Sequence, residues 1–253
     1  ESLSTAGVPP EVLPLVTALN ELFERMARLL ATEQQFTADA AHELRTPIAG
    51  IRMQAQVAQG ATDAQERATA LQATVQGCDR ATRLVEQLLT LARQESGTAP
   101  AEPVDLRAVA QLALADVAPA AQARGMDVGL LESDAAPLPG NAEALRMLVR
   151  NLLDNAIKYT PPGGQVDVQV RAQGGHAVLT VEDSGPGIAP EHRERAMQRF
   201  VRVTADSTPD SAPGSGLGLA IVQAIAQRHG ATVALGASER LGGLMVVVQF
   251  AIK

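Results

Sequence analysis

From Leu15 the apolar positions recur at Leu15, Leu19, Leu22, Met26 and Leu29, then at Phe36 beyond the polar Glu33. Alternating steps of four and three make a heptad seam, which needs a partner helix to cover it. From Phe36 the rhythm becomes Phe36, Ala40, Leu44, Ile48, Ile51, Ala55, Ala58, and the successive steps of four are a stutter that locally alters supercoiling. Gly60 and Asp63 mark a turn over 60–64. A second helix carries Leu71, Val75, Cys78, Thr82, Val85, Leu89 and Ala92 at heptad spacing and ends near Gly97 and Pro100. One hairpin cannot bury both seams, so the pattern predicts two hairpins paired as a homodimeric four-helix bundle.

Beyond 97–103 the pattern changes. Asp105 is placed to cap a helix running to about Arg124, and 126–131 reads as a strand. A helix follows over 141–159, strands over 166–171 and 177–182, a helix over 215–229, and strands over 231–235 and 244–250. Strands and helices mixed without regular βαβ alternation predict an α/β sandwich, a mixed sheet with helices on one face. The fold class is therefore α+β: a linker over 1–10, an antiparallel helical hairpin over 11–98, and an α/β domain over 103–253.

Composition narrows the function. At 253 residues with a net charge of −7, five aromatics and no Trp, the chain lacks the basic stripe and stacking platforms of a nucleic-acid binder. A single cysteine rules out an internal disulfide framework, and Cys78, on the apolar seam, is expected to be packed. No run is long and apolar enough to span a bilayer. The chain begins at Glu1 rather than Met, and is expected to be a fragment.

His42 sits in Phe36-Thr-Ala-Asp-Ala-Ala-His42-Glu43-Leu44-Arg45-Thr46-Pro47, two residues from both Ala40 and Leu44, and so points away from the seam. His-Glu-x-x-His on a helix would suggest zinc, but Thr46 stands where the second ligand would be. A neutral imidazole can instead attack a γ-phosphorus, helped by a carboxylate such as Glu43 that takes the proton of the other ring nitrogen. Pro47 is expected to bend the helix just beyond. Asn151, Asn155 and Lys158 recur at i, i+4, i+7, opposite Leu145, Leu148, Val149, Leu152, Leu153 and Ala156, and so are expected to face a cleft. Asp183 ends an apolar strand and starts Asp183-Ser-Gly185-Pro-Gly187; a carboxylate suits an adenine amino group, and the glycines let backbone approach the base. A plain turn after a strand is the alternative, whereas a calcium loop fails because Gly185 and Gly187 offer no side-chain oxygen. Gly214-Ser-Gly216-Leu217-Gly218-Leu219 is neither a phosphate-binding Walker loop nor a dinucleotide fingerprint, yet it places backbone amides at a helix start, suited to polyphosphate.

These blocks, in this order, resemble the phosphoacceptor, N, G1 and G2 boxes of sensor histidine kinases, over nearly the whole chain from about residue 11. The resemblance implies an ATP-binding domain of the type shared with gyrase, Hsp90 and MutL. It also implies Mg²⁺ on Asn155, phosphate contacts from Asn151 and Lys158, and Tyr159 beside the nucleotide. Phe200 matches the family's F box and Arg202 its phosphate-contacting arginine, with Val201 where a second aromatic is common; 203–214 matches the ATP lid. Glu43 would be the base and Thr46 would orient a water that dephosphorylates a partner. That partner would be a response-regulator receiver domain, which accepts the phosphoryl group from His42 on an aspartate. The remainder of the protein would be a sensor region in the bacterial inner membrane, this chain being its cytoplasmic portion. Two other readings compete. A plain ATPase of the same superfamily would carry a water-activating Glu where this chain has Asn151, and a non-catalytic adaptor would not need intact His42, Asn155 and Asp183.

Overall fold

The computed structural model describes Pro9 and residues 13–96, 102–202 and 215–252. The chain divides into two units, Glu1–Arg83 and Leu84–Lys253.

The first unit is built on α1 (Leu13–Gly60) and the greater part of α2 (Ala64–Ser96). α1 continues through Pro47 without interruption. The turn between the helices is tied by Asp63, whose Oδ2 accepts the N–H of Glu66 at 3.0 Å, and by Arg67, which donates to the carbonyl of Ala61 at 2.8 Å. These are the side-chain bonds that the free amides and carbonyls at helix ends require.

The expected seam of α2 is not the one that closes the hairpin. Leu71, Val75, Val85 and Leu89 are all exposed, and so is Cys78, which is therefore not a packed thiol. The buried stripe is Ala70, Gly77 and, half-buried, Thr74. A Cβ added to Gly77 would stand 2.7 Å from Ile51 Cγ1 on α1, so the two helices approach through a position with no side chain. Both stripes repeat every seven residues. Side-chain size separates them: small residues let the helix backbones come close, and the larger ones are left outside.

The second unit carries a five-stranded mixed sheet in the order β2-β4-β5-β7-β6. Its strands are β2 (Asp127–Leu130), β4 (Gln165–Gln173), β5 (His176–Asp183), β6 (Thr232–Ala237) and β7 (Leu244–Ala251). Only β2 and β4 run parallel. A two-stranded pair, β1 (Glu102–Asp105) with β3 (Pro137–Gly140), was not anticipated. Four-residue strands containing Pro103, Pro137 and Pro139 offer no period to read, since proline lacks the ladder donor.

Three helices, α3 (Leu106–Ala123), α4 (Ala142–Tyr159) and α6 (Gly218–Arg228), pack on the sheet, and α5 (Arg193–Ala196) is one turn. Alternate strand residues Val166, Val168, Val170, Leu179, Val181, Val246, Val248 and Phe250 are buried, against Leu145, Leu148, Val149, Leu152 and Leu153 of α4 and Ile221, Val222 and Ile225 of α6. Asp105 caps α3 as expected, its Oδ1 accepting from Arg107 N at 3.1 Å and from Ala136 N at 3.0 Å. Asn141 caps α4 through Ala144 N at 2.8 Å, and its own N–H donates to His229 Nε2, past the end of α6, at 3.2 Å. The N-terminus of one site helix is thereby tied to the C-terminus of the other.

Candidate active site

Asp183 is the last residue of β5, 6% exposed, where the sheet's apolar alternation ends. Its Oδ1 accepts two backbone N–H groups, from Gly185 at 2.8 Å and from Leu244 at 3.1 Å. Neither bond uses Oδ2, which has no partner among the described residues. Burial pushes the carboxyl above the usual range, and the two backbone donors pull it back in part. Glycines make the surroundings open: a Cβ on Gly185 would lie 2.9 Å from Asp183 Oδ1, and one on Gly243 would overlap the same carboxylate. Gly187 has φ +70° and lies against the Gly243 backbone. Gly243, sixty positions from Asp183, carried no signal in the sequence reading.

The N-box helix α4 departs from expectation at its first member. Asn151 does not face an open cleft; it is 5% exposed, donating from Nδ2 to Met147 O at 2.8 Å and accepting on Oδ1 from Gln87 Nε2 at 3.3 Å. Gln87 lies in the part of α2 that belongs to the second unit, and its Oε1 also accepts from Ser215 Oγ at 3.3 Å. A long polar side chain from a distant segment thus fills the space that the helical periodicity leaves open. Asn155 is half-buried, with its amide against the start of α6: a Cβ on Gly218 would stand 2.8 Å from its Nδ2. Lys158 Nζ donates to Tyr159 OH at 2.9 Å and lies 4.4 Å from the ring centre, so the tyrosine holds the ammonium in place.

No side chain caps α6 at Leu217, which leaves its first amides to a ligand. Leu217 itself is 0% exposed, so its side chain belongs to the core, and only its backbone can serve the binding role expected of it. Gly216 has φ +68°, and Phe200, at φ 61°, is the one non-glycine residue with positive φ among those described. The Phe200 N–H donates to Gly216 O at 3.1 Å, and a Cβ on Gly216 would press on the Phe200 backbone at 2.7 Å. A bulky residue held in the left-handed region stores strain where the F box meets the G2 turn. Arg202 is exposed. Gly214 and the whole 203–214 stretch lie outside the described residues.

On α1, His42 is exposed, as the seam argument requires. The group on its ring is Arg45, whose Nη1 lies 3.2 Å from His42 Nδ1, and not Glu43. Arg45 was missed, although its i+3 spacing is the available signal. Thr46 is exposed, its hydroxyl 3.5 Å from the His42 carbonyl.

Residues 140–253 match the model of the histidine kinase-, DNA gyrase B- and HSP90-like ATPase, and residues 32–97 that of the His Kinase A phospho-acceptor domain. The chain belongs to the sensor histidine kinases. It is 44% identical over 252 residues to the sensor protein QseC of Salmonella typhi, a match covering 98% of this chain and 54% of that protein. It therefore spans about half the length of the curated relatives it matches. Among solved structures, a mycobacterial sensor histidine kinase, MprB, shares 33% identity over 60% of this chain and 97% of that one, with a TM-score of 0.51. The Acinetobacter baumannii histidine kinase AdeS shares the fold at TM-score 0.67 and 23% identity, covering 84% of this chain and 98% of that one. As in other sensor histidine kinases, a helical hairpin is followed by an ATP-binding α/β domain with a mixed sheet.

Proposed function

We propose that this chain is a kinase core that moves the γ-phosphoryl group of ATP to His42 and then to an aspartate of a response-regulator receiver domain. In the first step a His42 ring nitrogen bonds to the γ-phosphorus, the bond to the bridging oxygen breaks, and ADP leaves. The imidazole proton on the opposite nitrogen passes to Glu43, once the ring has exchanged Arg45 for that carboxylate. Thr46, one turn on, positions a water for the reverse signal, dephosphorylation of the regulator.

In the nucleotide site, Asp183 Oδ2 accepts from the base amino group, and Gly185 and Gly187 give the base room. Tyr159 flanks the nucleotide. Lys158, Asn151 and Arg202 meet the phosphates together with the amides of Gly214, Gly216, Leu217 and Gly218, and Phe200 anchors the lid. The Asn155 amide oxygen takes no hydrogen bond from the described residues, and so fits a hard cation that keeps most of its ligands as water and phosphate. Mg²⁺ held there would neutralise charge on the transferring phosphates.

We take 11–98 as the phosphoacceptor and dimerisation segment and 103–253 as the catalytic one, with 1–10 a linker. The exposed seam of α2 supports a homodimer. None of the described helices is long and apolar enough to cross a membrane. Relatives twice as long support a missing sensor region in a bacterial inner membrane, with this chain on the cytoplasmic side.

One observation carries the reading: a buried carboxylate with one oxygen saturated by backbone, the other unpartnered, in a cradle that side chains would fill. The test is incubation with γ-labelled ATP and Mg²⁺. Label that is acid-labile and base-stable, absent in His42→Gln while nucleotide affinity holds, is expected. Incorporation by His42→Gln at the wild-type rate would end the phosphoacceptor assignment.

A further inference from the structure

Thr160, which closes α4, is wholly buried at 0% exposure. Its N–H donates to Ala156 O at 3.0 Å, and its carbonyl accepts from Arg124 Nη2 at 2.9 Å. Its hydroxyl alone has no hydrogen-bond partner. A dry, unpaired hydroxyl in a protein interior is destabilising and needs an explanation.

Its surroundings supply one. A single point, where a Cβ on Gly185 would stand, is 3.3 Å from Thr160 Oγ1 and 2.9 Å from Asp183 Oδ1. The hydroxyl and the carboxylate therefore border the same glycine-made space. The methyl end of Thr160 is lodged towards Gly164, where an added Cβ would overlap Cγ2. Packing thus holds the side chain with its methyl towards Gly164 and its oxygen towards the carboxylate.

We propose that Thr160 is a specificity-determining residue that reads adenine: its hydroxyl donates to ring nitrogen N1 while Asp183 accepts from the adjacent 6-amino group, directly or through one trapped water. Adenine presents an acceptor beside a donor on that edge, and the site presents a donor beside an acceptor. Hypoxanthine and guanine present the reverse, an N–H beside a carbonyl, and would set their oxygen against the carboxylate. The inference rests on the nucleotide reading above and deepens it.

The test measures equilibrium binding of ATP and of 1-deaza-ATP, which lacks only the N1 acceptor, to the full chain and to Thr160→Val and Thr160→Ser. Wild type should bind 1-deaza-ATP about tenfold more weakly than ATP, the scale of one buried hydrogen bond. Thr160→Val should bind the two equally, near the wild-type affinity for the analogue, and Thr160→Ser should keep the preference. Without nucleotide, Thr160→Val should melt no lower than wild type, because the replaced hydroxyl had no partner. Thr160→Val that still prefers ATP tenfold, that weakens both nucleotides alike, or that melts lower would overturn the role. Wild type binding ATP no better than inorganic tripolyphosphate would instead overturn the nucleotide reading, and this inference with it.

Discussion

The two halves of this chain treat their large apolar residues in opposite ways. In the α/β domain, Leu145, Leu148, Leu153, Leu179, Ile221 and Phe250 are at most 1% exposed. In the hairpin, Leu22, Met26, Ile48, Met53, Leu71 and Val75 are each more than half exposed. One region closes its core with its own elements, because a sheet face and three helices suffice to enclose each other. The other has only two helices, and closes them along a stripe of alanine and glycine. A contiguous apolar surface of this kind marks an interaction site. The catalytic domain is complete as one copy, whereas the hairpin is half of a structure.

The most severe way to break that contrast is to charge the exposed seam. Leu71→Glu with Val75→Glu should convert dimer to monomer while ATP binding stays at wild-type strength. Each apolar side chain denied burial is worth roughly 1.5–3 kcal/mol, and a symmetric interface counts both twice. The dissociation constant should therefore rise about a thousandfold or more, at ~1.4 kcal/mol per decade. Sedimentation equilibrium checks this, and a variant that remains dimeric would show that the seam lies elsewhere.

A smaller effect should come from the inner stripe. Gly77→Val forces a side chain into Ile51 and should cost about 1–3 kcal/mol of hairpin stability. Gly50→Ala, with nothing within 4 Å of the added carbon, should instead stabilise by about 0.5–1 kcal/mol through helix propensity. Thermal melts of both variants sharpen the assignment; equal shifts of the same sign would contradict it.

The catalytic domain should show a pH signature that the hairpin lacks. Asp183 has its carboxyl raised from 3.8 in the folded state by burial. Its contribution to stability is fully present below 3.8 and is lost as pH rises through the raised value. Nucleotide binding should have the opposite slope, growing over that window as the carboxylate becomes the ionised acceptor. Calorimetric titration across acidic pH should show both slopes in wild type and neither in Asp183→Asn. A wild-type affinity that does not vary over the window would remove the charge from the recognition.

The smallest predicted change lies on the hairpin surface. Thr46→Ala should still label itself and its regulator but dephosphorylate that regulator about tenfold more slowly, since one positioned hydrogen bond is worth about one decade. The decay of purified phosphorylated regulator with each variant and ADP measures it. Equal decay would leave Thr46 a plain surface residue.

Periodicity and the boxes were legible in the chain itself. The heptads predicted two long helices, alternation predicted β4 and β5, and Asp105 and Asn141 stand at helix starts where short polar side chains cap backbone amides. His42, Asn155 and Asp183 could be singled out because each sits at a readable position on a helix face or a strand end. Such signals are local, set by backbone geometry within a few residues. Tertiary structure alone decided which of two heptad stripes closes the hairpin, because both share one period and only their size against Ile51 separates them. It alone turned Asn151 inward onto Gln87, placed Leu217 in the core, and brought Gly243 and Thr160 to Asp183 across 60 and 23 positions of sequence. A hydrogen bond that is missing, like that of Thr160, is a property of everything around an atom, and no stretch of sequence contains it.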